Sequence, residues 1–410
     1  MPKEFKDMVF ALDIGTAKVM VVAAEVLPHG GLRVAGLGVA PTHGLKRGVV
    51  VNIDATVQSI QQALKEAEMM AACKITSVYT GITGSHIRGQ NSTGMVIVRD
   101  NREVTPVDVA RVVETAKAIN IPNDQRLLLV EPQEFVIDGH EVKEPIGMSG
   151  SRLEVKVHIV TGAQSAAENI LKCVRRCGLE VERLVLNPSA SAAAVLSDDE
   201  KMLGVAVIDI GAGTTDVQIY TDGSVRHTAV IPIAGDLITS DIAMALRTPT
   251  KDAEEIKVEH GVAKQLLADP ADPVEVPGLG DRVPRMLSRQ ALAGVIEPRI
   301  EEIFSLVQQV IRESGYEELL SSGMVITGGS AVMPGMVELG EDIFLKPVRK
   351  GLPLYSGALF DMVANPRSAA VMGLLEEARM ARARGHKAAA QAGSMKNFVG
   401  RAKDWFLGNF

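Results

Sequence analysis

Two short segments combine the residue types that bind a phosphate chain. Each is an apolar stretch ending in Asp-Ile-Gly, first as Asp13-Ile-Gly-Thr16 and then, 196 residues later, as Asp209-Ile-Gly-Ala-Gly-Thr-Thr215. A glycine at a strand end lets the backbone turn tightly, so that N–H groups and threonine hydroxyls can point at phosphates. The two aspartates could hold Mg²⁺, through water because Mg²⁺ dehydrates reluctantly. One Asp-x-Gly is a common strand-end turn, but two copies predict turns that grip phosphates from both sides.

A third glycine turn follows another predicted strand, as Thr327-Gly-Gly-Ser330. Paired glycines leave room for a flat ring such as adenine to approach the backbone. Glu254 and Lys257, three apart on a charged predicted helix, could hydrogen-bond a ribose or a base edge, although a solvated helix face would explain the same pair. No Gly-x-x-x-x-Gly-Lys-Ser/Thr is present, which excludes a P-loop protein. The candidate nucleotide-binding residues are therefore Asp13, Gly15, Thr16, Asp209, Gly211, Gly213, Thr214, Thr215, Glu254, Lys257, Gly328, Gly329 and Ser330.

The composition is that of an ordinary globular protein. The 410 residues, 46% hydrophobic and 23% charged, suggest about two to four domains and exclude disorder as the main state. A net charge of −7 argues against nucleic acid as the main partner. Three cysteines exclude a disulfide scaffold, and Cys173 and Cys177 lack further ligands at metal-binding spacing. With no apolar run near 20 residues and Asp13 interrupting the first one, we expect neither a membrane span nor a signal peptide, and a cytosolic chain.

Alternating strand and helix patterns favour an α/β fold. Buried strands are predicted at 8–14, 205–210 and 324–326, and helices at 53–72 and 292–314. The two Asp-Ile-Gly strands are one internal echo. Another pairs Asn187-Pro-Ser-Ala-Ser-Ala-Ala193 with Asn365-Pro-Arg-Ser-Ala-Ala370, each a helix begun by proline with a face of small residues. Two echoes in one order predict two related halves, hinged where the small-residue helices cross.

Three segments fall outside this repeat. Residues 87–160 look inserted, with a helix at 106–119 and strands at 127–137 and 153–159. Residues 267–284 are rich in Asp, Pro and Gly and predict a loop. Residues 385–393 have no apolar face and predict a flexible tether.

The last sixteen residues predict an amphipathic helix that lies on a membrane. On a helical wheel its apolar side chains fall within an arc of about 140°, with cations flanking them. Four of the fourteen aromatic residues lie here, and the segment from 378 onward carries +6 against −13 for the rest of the chain. Aromatic rings with flanking Lys and Arg suit the lipid headgroup boundary, although docking on protein would also bury this face. The candidate membrane residues are Met395, Lys396, Phe398, Val399, Arg401, Ala402, Lys403, Trp405, Phe406 and Phe410.

The full set of motifs resembles the actin-like ATPase superfamily and, over nearly the whole chain, its FtsA family of bacterial cell-division proteins. The set also includes Gly235-Asp236, Ala253-Glu-Glu-Ile-Lys257, Val295-Ile-Glu-Pro-Arg299 and Asn365-Pro-Arg-Ser-Ala-Ala-Val-Met-Gly373. The resemblance implies an α/β, actin-like (ribonuclease H-like) two-lobed fold, with an inserted subdomain in the first lobe, a C-terminal amphipathic helix, and ATP with Mg²⁺ between the lobes. It adds Lys18 and Gly235 to the nucleotide-binding residues.

The resemblance also implies a division of the chain. The first lobe (1A) takes residues 1–85, 161–195 and 366–384, and the inserted subdomain (1C) takes 86–160. The second lobe (2A) takes 196–235 and 320–365, and its smaller subdomain (2B) takes 236–319. A linker at 385–394 and the membrane helix at 395–410 follow.

Partners are implied in the same way. Subdomain 2B is expected to receive the C-terminal tail of the tubulin-like protein FtsZ, with Arg299 at the contact, because a partly acidic tail suits an exposed arginine. An ion pair with Glu301 or Glu302 is the alternative role for Arg299. The inserted subdomain is expected to take part in head-to-tail filaments. Later division proteins, an anionic membrane surface and a septal location on the inner face of the plasma membrane complete the expectation.

Two departures bear on catalysis. Asn187 stands where several actin-like ATPases carry Glu or Gln, and an amide can orient water but is no base. Ala234 takes a position that is often glycine. Asn187 and Asp216 are therefore only weak catalytic candidates, and we expect ATP binding with weak or no hydrolysis.

Two other functions are alternatives to this one. A PilM-like adaptor of type IV pilus assembly would share the fold and the insertion but lack the membrane helix. A sugar kinase would need an aspartate poised at a sugar hydroxyl, and no segment suggests a sugar pocket.

Overall fold

The computed structural model describes residues 7–99, 103–280 and 282–392, with 386–392 described by backbone alone. The predicted membrane helix and the last two residues of the linker lie outside these ranges. Among the described residues, none of the helices is both long enough and apolar enough to cross a bilayer.

The first part of the chain builds most of one lobe and the inserted subdomain. The first-lobe elements are β1 (Met8–Ile14), β2 (Lys18–Val26), β3 (Leu32–Pro41), β4 (Leu45–Lys46), β5 (Val49–Val50), α1 (Ile53–Ala71) and β6 (Ser77–Ile82). The inserted elements are β7 (Arg88–Ile97), α2 (Pro106–Lys117), β8 (Gln125–Ile137), β9 (His140–Val142) and β10 (Arg152–Ala163). Thr105 and Asp108 form a reciprocal capping box that starts α2.

The chain then completes the first lobe and builds the second. These elements are α3 (Gln164–Arg176), β11 (Glu180–Leu186), α4 (Asn187–Val195), α5 (Asp198–Leu203), β12 (Val205–Ile210), β13 (Thr215–Thr221), β14 (Ser224–Ile231), α6 (Gly235–Leu246), α7 (Thr250–His260), β15 (Pro273–Val276), β16 (Arg285–Ser288), α8 (Arg289–Ser314), β17 (Met324–Thr327), α9 (Met336–Phe344), β18 (Val348–Lys350), α10 (Phe360–Val363) and α11 (Ala369–Ala392).

The two lobes share one sheet topology. The first sheet has the order β11-β6-β1-β2-β3 and the second β18-β17-β12-β13-β14. In each, the strand that ends in Asp-Ile pairs antiparallel with the next strand and parallel with the strand on its other side. The expectation of two related halves in an α/β actin-like fold is confirmed.

The two small-residue helices cross between the sheets. A Cβ placed on Gly373 of α11 would lie 1.7 Å from the carbonyl oxygen of Ala190 on α4, so the helix backbones touch. A buried cluster that includes Ala190, Val371 and residues of both sheets surrounds this crossing. The predicted packing of these helices against each other is confirmed.

The insertion is a compact unit of its own. Its sheet has the order β7-β10-β8-β9, and α2 packs on it over a separate apolar cluster. The predicted helix and strands are all present, each within a few residues of its expected bounds.

Two segments differ from expectation. Residues 267–284 contain β15, which pairs with β16 in a hairpin. Val274 and Val276 are buried on alternate positions, a strand pattern that the surrounding Asp, Pro and Gly residues obscured. The helix α11 continues to Ala392, through residues 385–392 of the expected flexible linker. The reason is four alanines in that stretch, since alanine has the highest helix propensity.

Candidate functional site

A cavity of about 700 Å³ opens between the lobes, within the usual size range of small-molecule sites. Of the fifteen candidate nucleotide-binding residues, fourteen line it: Asp13, Gly15, Thr16, Lys18, Asp209, Gly211, Gly213, Thr214, Gly235, Glu254, Lys257, Gly328, Gly329 and Ser330. Residues as far apart in the chain as Asp13 and Ser330 thus meet around one cavity.

Thr215 is the exception. It is fully buried and donates a hydrogen bond from Oγ1 to the carbonyl oxygen of Ile233 at 2.8 Å. Because Thr215 is already the first residue of β13, strand alternation turns its side chain away from the face that Thr214 presents. The structure therefore does not place Thr215 on the cavity wall.

The two Asp-Ile-Gly turns have the same internal geometry. Gly15 donates its backbone N–H to the carbonyl oxygen of Lys18 at 3.0 Å, and Gly211 donates to that of Thr214 at 2.9 Å. The turns also approach each other, since a Cβ on Gly213 would lie 2.5 Å from the Thr16 hydroxyl and 2.8 Å from the Cα of Arg47. Only glycine fits there, and the cavity is closed from both sides by matching turns.

Three carboxyl groups face this cavity: Asp13 near the end of β1, Asp209 near the end of β12 and Asp216 near the start of β13. Burial raises the pKa of Asp13 to about 6, against the opposing charge of Lys18. Burial also raises the pKa of Asp209, and it raises that of Asp216 to about 8. Burial lowers the pKa of Lys18 to about 8, although Asp13 opposes this. Such a site disfavours its own negative charges, and a bound cation would relieve that cost.

The donor set fits Mg²⁺ held through water. Among the described residues no three His, Cys, Asp or Glu side chains cluster as direct ligands. Asp13 and Asp209 both line the cavity, and carboxylates with water are the usual Mg²⁺ environment. These two aspartates would hold the ion.

Helix α4 contacts both of these aspartates. Asn187 donates from Nδ2 to Asp13 Oδ1 at 3.5 Å, and its own Oδ1 is buried without a partner among the described residues. One helical turn later, Ser191 donates to Asp209 Oδ2 at 2.5 Å. The two side chains share one face of the helix because they are four residues apart.

Glu254 and Lys257 both line the cavity, with the Lys257 side chain mostly buried and the Glu254 side chain half exposed. Lys257 Nζ lies 2.6 Å from Glu254 Oε2 and donates to Thr239 Oγ1 at 2.8 Å and to the carbonyl oxygen of Gly235 at 3.2 Å. The Lys257 side chain is only 11% exposed. The pair is therefore held against the first turn of α6, and Ser330 of the third glycine turn donates to the carbonyl oxygen of Gly211 at 3.1 Å.

Sequence reasoning missed several residues of the wall. Thr83 follows β6 and donates to Asp216 Oδ1 at 2.8 Å. Lys18 donates to the carbonyl oxygen of Arg367 at 2.5 Å. Arg289 and Met333 also line the cavity. The Thr83-Gly84 pair after a buried strand was a usable signal, and Arg367 lies in the Asn365-Pro-Arg motif, whereas Arg289 and Met333 carry no signal in the local sequence.

Ala234 and Arg299 can also be placed. Ala234 has extended backbone angles, φ −164° and ψ −156°, so this position does not require glycine. Arg299 binds Asp241 through Nε at 2.5 Å and Nη2 at 3.0 Å, and it also contacts Glu302. The ion pair with Glu302, which was the alternative role for Arg299, is present, and the sequence did not predict the bidentate pair with Asp241.

Matches to known protein families cover most of the chain. A family described as "Cell division protein FtsA" matches residues 206–373, and one described as "SHS2 domain inserted in FTSA" matches residues 84–161. The cell division protein FtsA of Pseudomonas aeruginosa is 52% identical over 410 residues, covering 98% of each chain. The cell division protein FtsA of Escherichia coli K12 is 41% identical over 415 residues, covering 99% of each chain.

Solved structures agree on the fold. PilM in a PilM–PilN type IV pilus biogenesis complex superposes with a TM-score of 0.65 at 19% identity, over 89% of this chain and 97% of that one. MreB5 of Spiroplasma citri bound to AMPPNP superposes with a TM-score of 0.53 at 14% identity, over 90% of this chain and 95% of that one. These likenesses show an actin-like fold, and the sequence matches show that the chain belongs to the FtsA family of cell division proteins.

Proposed function

We propose that the chain binds ATP with Mg²⁺ in the cleft between its lobes. The observation that carries this proposal is the pair of matching Asp-Ile-Gly turns that close on one cavity of suitable size. MreB5, which shares the fold and is described as bound to AMPPNP, adds support for a nucleotide. The turn glycines and Thr16 and Thr214 would face the phosphates, while Glu254, Lys257 and the Gly328-Gly329 turn would face the nucleoside.

The buried carboxyl groups of the site favour a ligand that binds together with a cation. Bound Mg²⁺ would neutralise part of the phosphate charge and allow Asp13 and Asp209 to ionise in a buried place. Lys18, with its pKa lowered toward neutrality, adds a donor on the first-lobe side. Thr16 is itself fixed, because its hydroxyl accepts a hydrogen bond from the backbone of Gly48 at 3.1 Å.

Hydrolysis is proposed to be weak. Asn187 lies beside Asp13, and the resemblance implies that this position carries Glu or Gln in several actin-like ATPases; an amide cannot accept a proton from water. Asp216 is buried and accepts a hydrogen bond from Thr83, and burial raises its pKa to about 8. Binding, and the closing of the two lobes around the nucleotide, would therefore matter more than turnover.

At the level of the cell, the proposed function is a membrane adaptor for FtsZ filaments. The family identity supports cell division as the process. The helix predicted at 395–410 would lie on the anionic inner face of the plasma membrane, and subdomain 2B would bind the FtsZ tail near Arg299. One such helix binds weakly, so filaments that present many copies would be needed to hold the Z ring and to recruit later division proteins at the septum.

The pilus-adaptor alternative rests on fold alone. PilM superposes well but at 19% identity, whereas the division proteins reach 52% over nearly the full length. The basic, aromatic end of the chain also favours a membrane role over a soluble adaptor.

The proposal is tested by sedimentation with vesicles containing anionic lipid, with and without Mg²⁺ and ATP. The full chain should pellet with the vesicles, Trp405→Glu should stay in the supernatant, and the matched control Trp405→Phe should pellet because it keeps an apolar ring. Calorimetric titration of the same three proteins with ATP should give equal affinities. Pelleting of Trp405→Glu at the level of the full chain would contradict the membrane assignment, and no measurable heat with ATP would contradict the nucleotide assignment.

A further inference from the structure

The geometry points to Ser191 as a positioning residue, one that fixes the carboxylate of Asp209 for the Mg²⁺–nucleotide complex. This inference rests on the proposed nucleotide site and adds a role that the motifs do not assign. Ser191 is completely buried and lies in the middle of α4, two residues beyond the Pro-Ser start that is conspicuous in the sequence.

The Ser191 hydroxyl donates to a carboxylate rather than to a carbonyl oxygen of its own helix. A buried serine inside a helix usually satisfies its hydroxyl with the carbonyl oxygen four residues earlier. Ser191 instead donates to Asp209 Oδ2 at 2.5 Å, across the gap between α4 and β12. Hydrogen bonds to a carboxylate are stronger than those to a neutral acceptor, so this contact restrains the Asp209 side chain.

The second carboxylate oxygen lies close to the third glycine turn. A Cβ on Gly328 would lie 2.3 Å from Asp209 Oδ1, so this oxygen sits directly over the backbone of the third glycine turn. Gly328 has φ +88°, a conformation that suits glycine. The Asp209 carboxylate thus lies between Ser191, which donates to one oxygen, and the backbone of Gly328, which is close to the other.

The same face of α4 also contacts the aspartate of the other lobe. Asn187, four residues before Ser191, reaches Asp13. Thus α4 contacts one carboxylate from each lobe and sets their relative position. Outer-shell partners of this kind commonly change metal affinity by about 10–100-fold when they are removed.

The test compares Ser191→Ala with Ser189→Ala. Ser189 is on the same helix and accepts a hydrogen bond from Gln218 Nε2 at 3.0 Å, away from both aspartates. Each variant and the parent chain are titrated calorimetrically with ATP, once in Mg²⁺ and once in EDTA. Thermal unfolding checks that all three fold alike, and crystal structures of the parent and of Ser191→Ala without nucleotide give the Asp209 rotamer.

We expect Ser191→Ala to weaken ATP binding in Mg²⁺ by about tenfold and to change it by less than about twofold in EDTA. Ser189→Ala should match the parent in both media. An unchanged affinity in Mg²⁺, an equal loss in both media, or an equal loss in Ser189→Ala would each overturn the role of Ser191.

The crystallographic arm separates this inference from the proposed function. If the parent chain binds no ATP in either medium, the nucleotide proposal fails. The role of Ser191 is then decided by the carboxylate alone: rotation of Asp209 in Ser191→Ala supports it, and an unchanged Asp209 overturns it.

Discussion

Gly373 of α11 rests on the carbonyl oxygen of Ala190 of α4, with no room for even one methyl group between them. This contact lies within an apolar cluster that contains residues of both sheets, and α4 is also the helix that touches both cleft aspartates. The separation of α4 and α11 is therefore set by a glycine rather than by a large interlocking side chain.

The first prediction concerns this contact. Gly373→Ala should lower the free energy of unfolding by about 1–3 kcal/mol, the usual effect of overpacking a core. Gly385→Ala is the matched control on the same helix, because nothing lies within 4 Å of a Cβ there. It should raise stability by about 0.5–1 kcal/mol through helix propensity. Urea denaturation of both variants measures the difference, and similar effects of the two would refute the close contact.

The second prediction compares two glycines of the cavity. An added methyl group would meet open space at Gly329 but would clash with neighbouring atoms at Gly213. Gly329 has helical backbone angles, and open space lies where an alanine methyl group would point, so Gly329→Ala should unfold at the parent's temperature. Since that methyl would occupy the cavity, ATP affinity should fall by about tenfold, a loss near 1.4 kcal/mol. Gly213→Ala should lower both the unfolding temperature and the affinity. Calorimetric titration and thermal melts test both, and full ATP affinity in Gly329→Ala would place the nucleotide elsewhere.

The third prediction concerns pH and the contact between the inserted subdomain and the second lobe. His158 Nδ1 lies 2.7 Å from Asn91 Oδ1, and its Nε2 lies 3.0 Å from Thr228 Oγ1. Burial lowers the pKa of His158 to about 3, below the 6.5 of an unperturbed histidine. Its contribution to stability is therefore fully present above pH 6.5 and is lost as the pH falls toward 3.

The stability advantage of the parent over His158→Gln should shrink by roughly 1 kcal/mol for each pH unit below 6.5. Glu131, opposite His158 on β8, has its pKa raised to about 7 by burial and acts in the opposite direction, so the comparison must be between variants. Denaturation at pH 5.5 and 7.5 measures it, with the exposed His140→Gln as control. A pH-independent difference would show that His158 is not buried as a neutral ring.

The fourth prediction concerns Arg299 and the FtsZ tail. Arg299 is held by Asp241 and Glu302, so an acidic peptide must compete with them. Arg299→Ala should weaken binding of a labelled FtsZ C-terminal peptide by about fivefold, the scale of an exposed ion pair. Asp241→Asn should strengthen it, because the guanidinium is released. Fluorescence polarisation measures both, and weakening by both variants would mean that Arg299 only supports the local structure.

The parts of this molecule that follow from sequence are those with a local signal. Asp13 and Asp209 each lie near the carboxyl end of a buried strand with a glycine after it, and the repetition of this pattern in both halves of the chain indicates the site. Thr215 does not line the cavity, contrary to the prediction, because a shift of one residue along a strand moves a side chain to the opposite face.

The remainder depends on tertiary contacts. Asp241 meets Arg299 across 58 residues, and Arg367 meets Lys18 across 349, with nothing in either local sequence to indicate it. The hairpin of β15 and β16 was hidden because Val274 and Val276 lie in a segment dominated by turn-forming residues. The short Val-Glu-Val alternation identifies a strand only when an apolar cluster is available to bury the two valines.

Delivery of FtsZ to a membrane by this chain is the core of the proposed function. It can be measured by sedimenting FtsZ with anionic vesicles in the presence of the full chain, Mg²⁺ and ATP. We expect FtsZ to pellet with the parent and with Trp405→Phe, and to remain in the supernatant with Trp405→Glu or without the chain. FtsZ that stays in solution while the parent chain itself pellets, or that pellets equally well with Trp405→Glu, would show that the chain does not anchor FtsZ through its C-terminal helix.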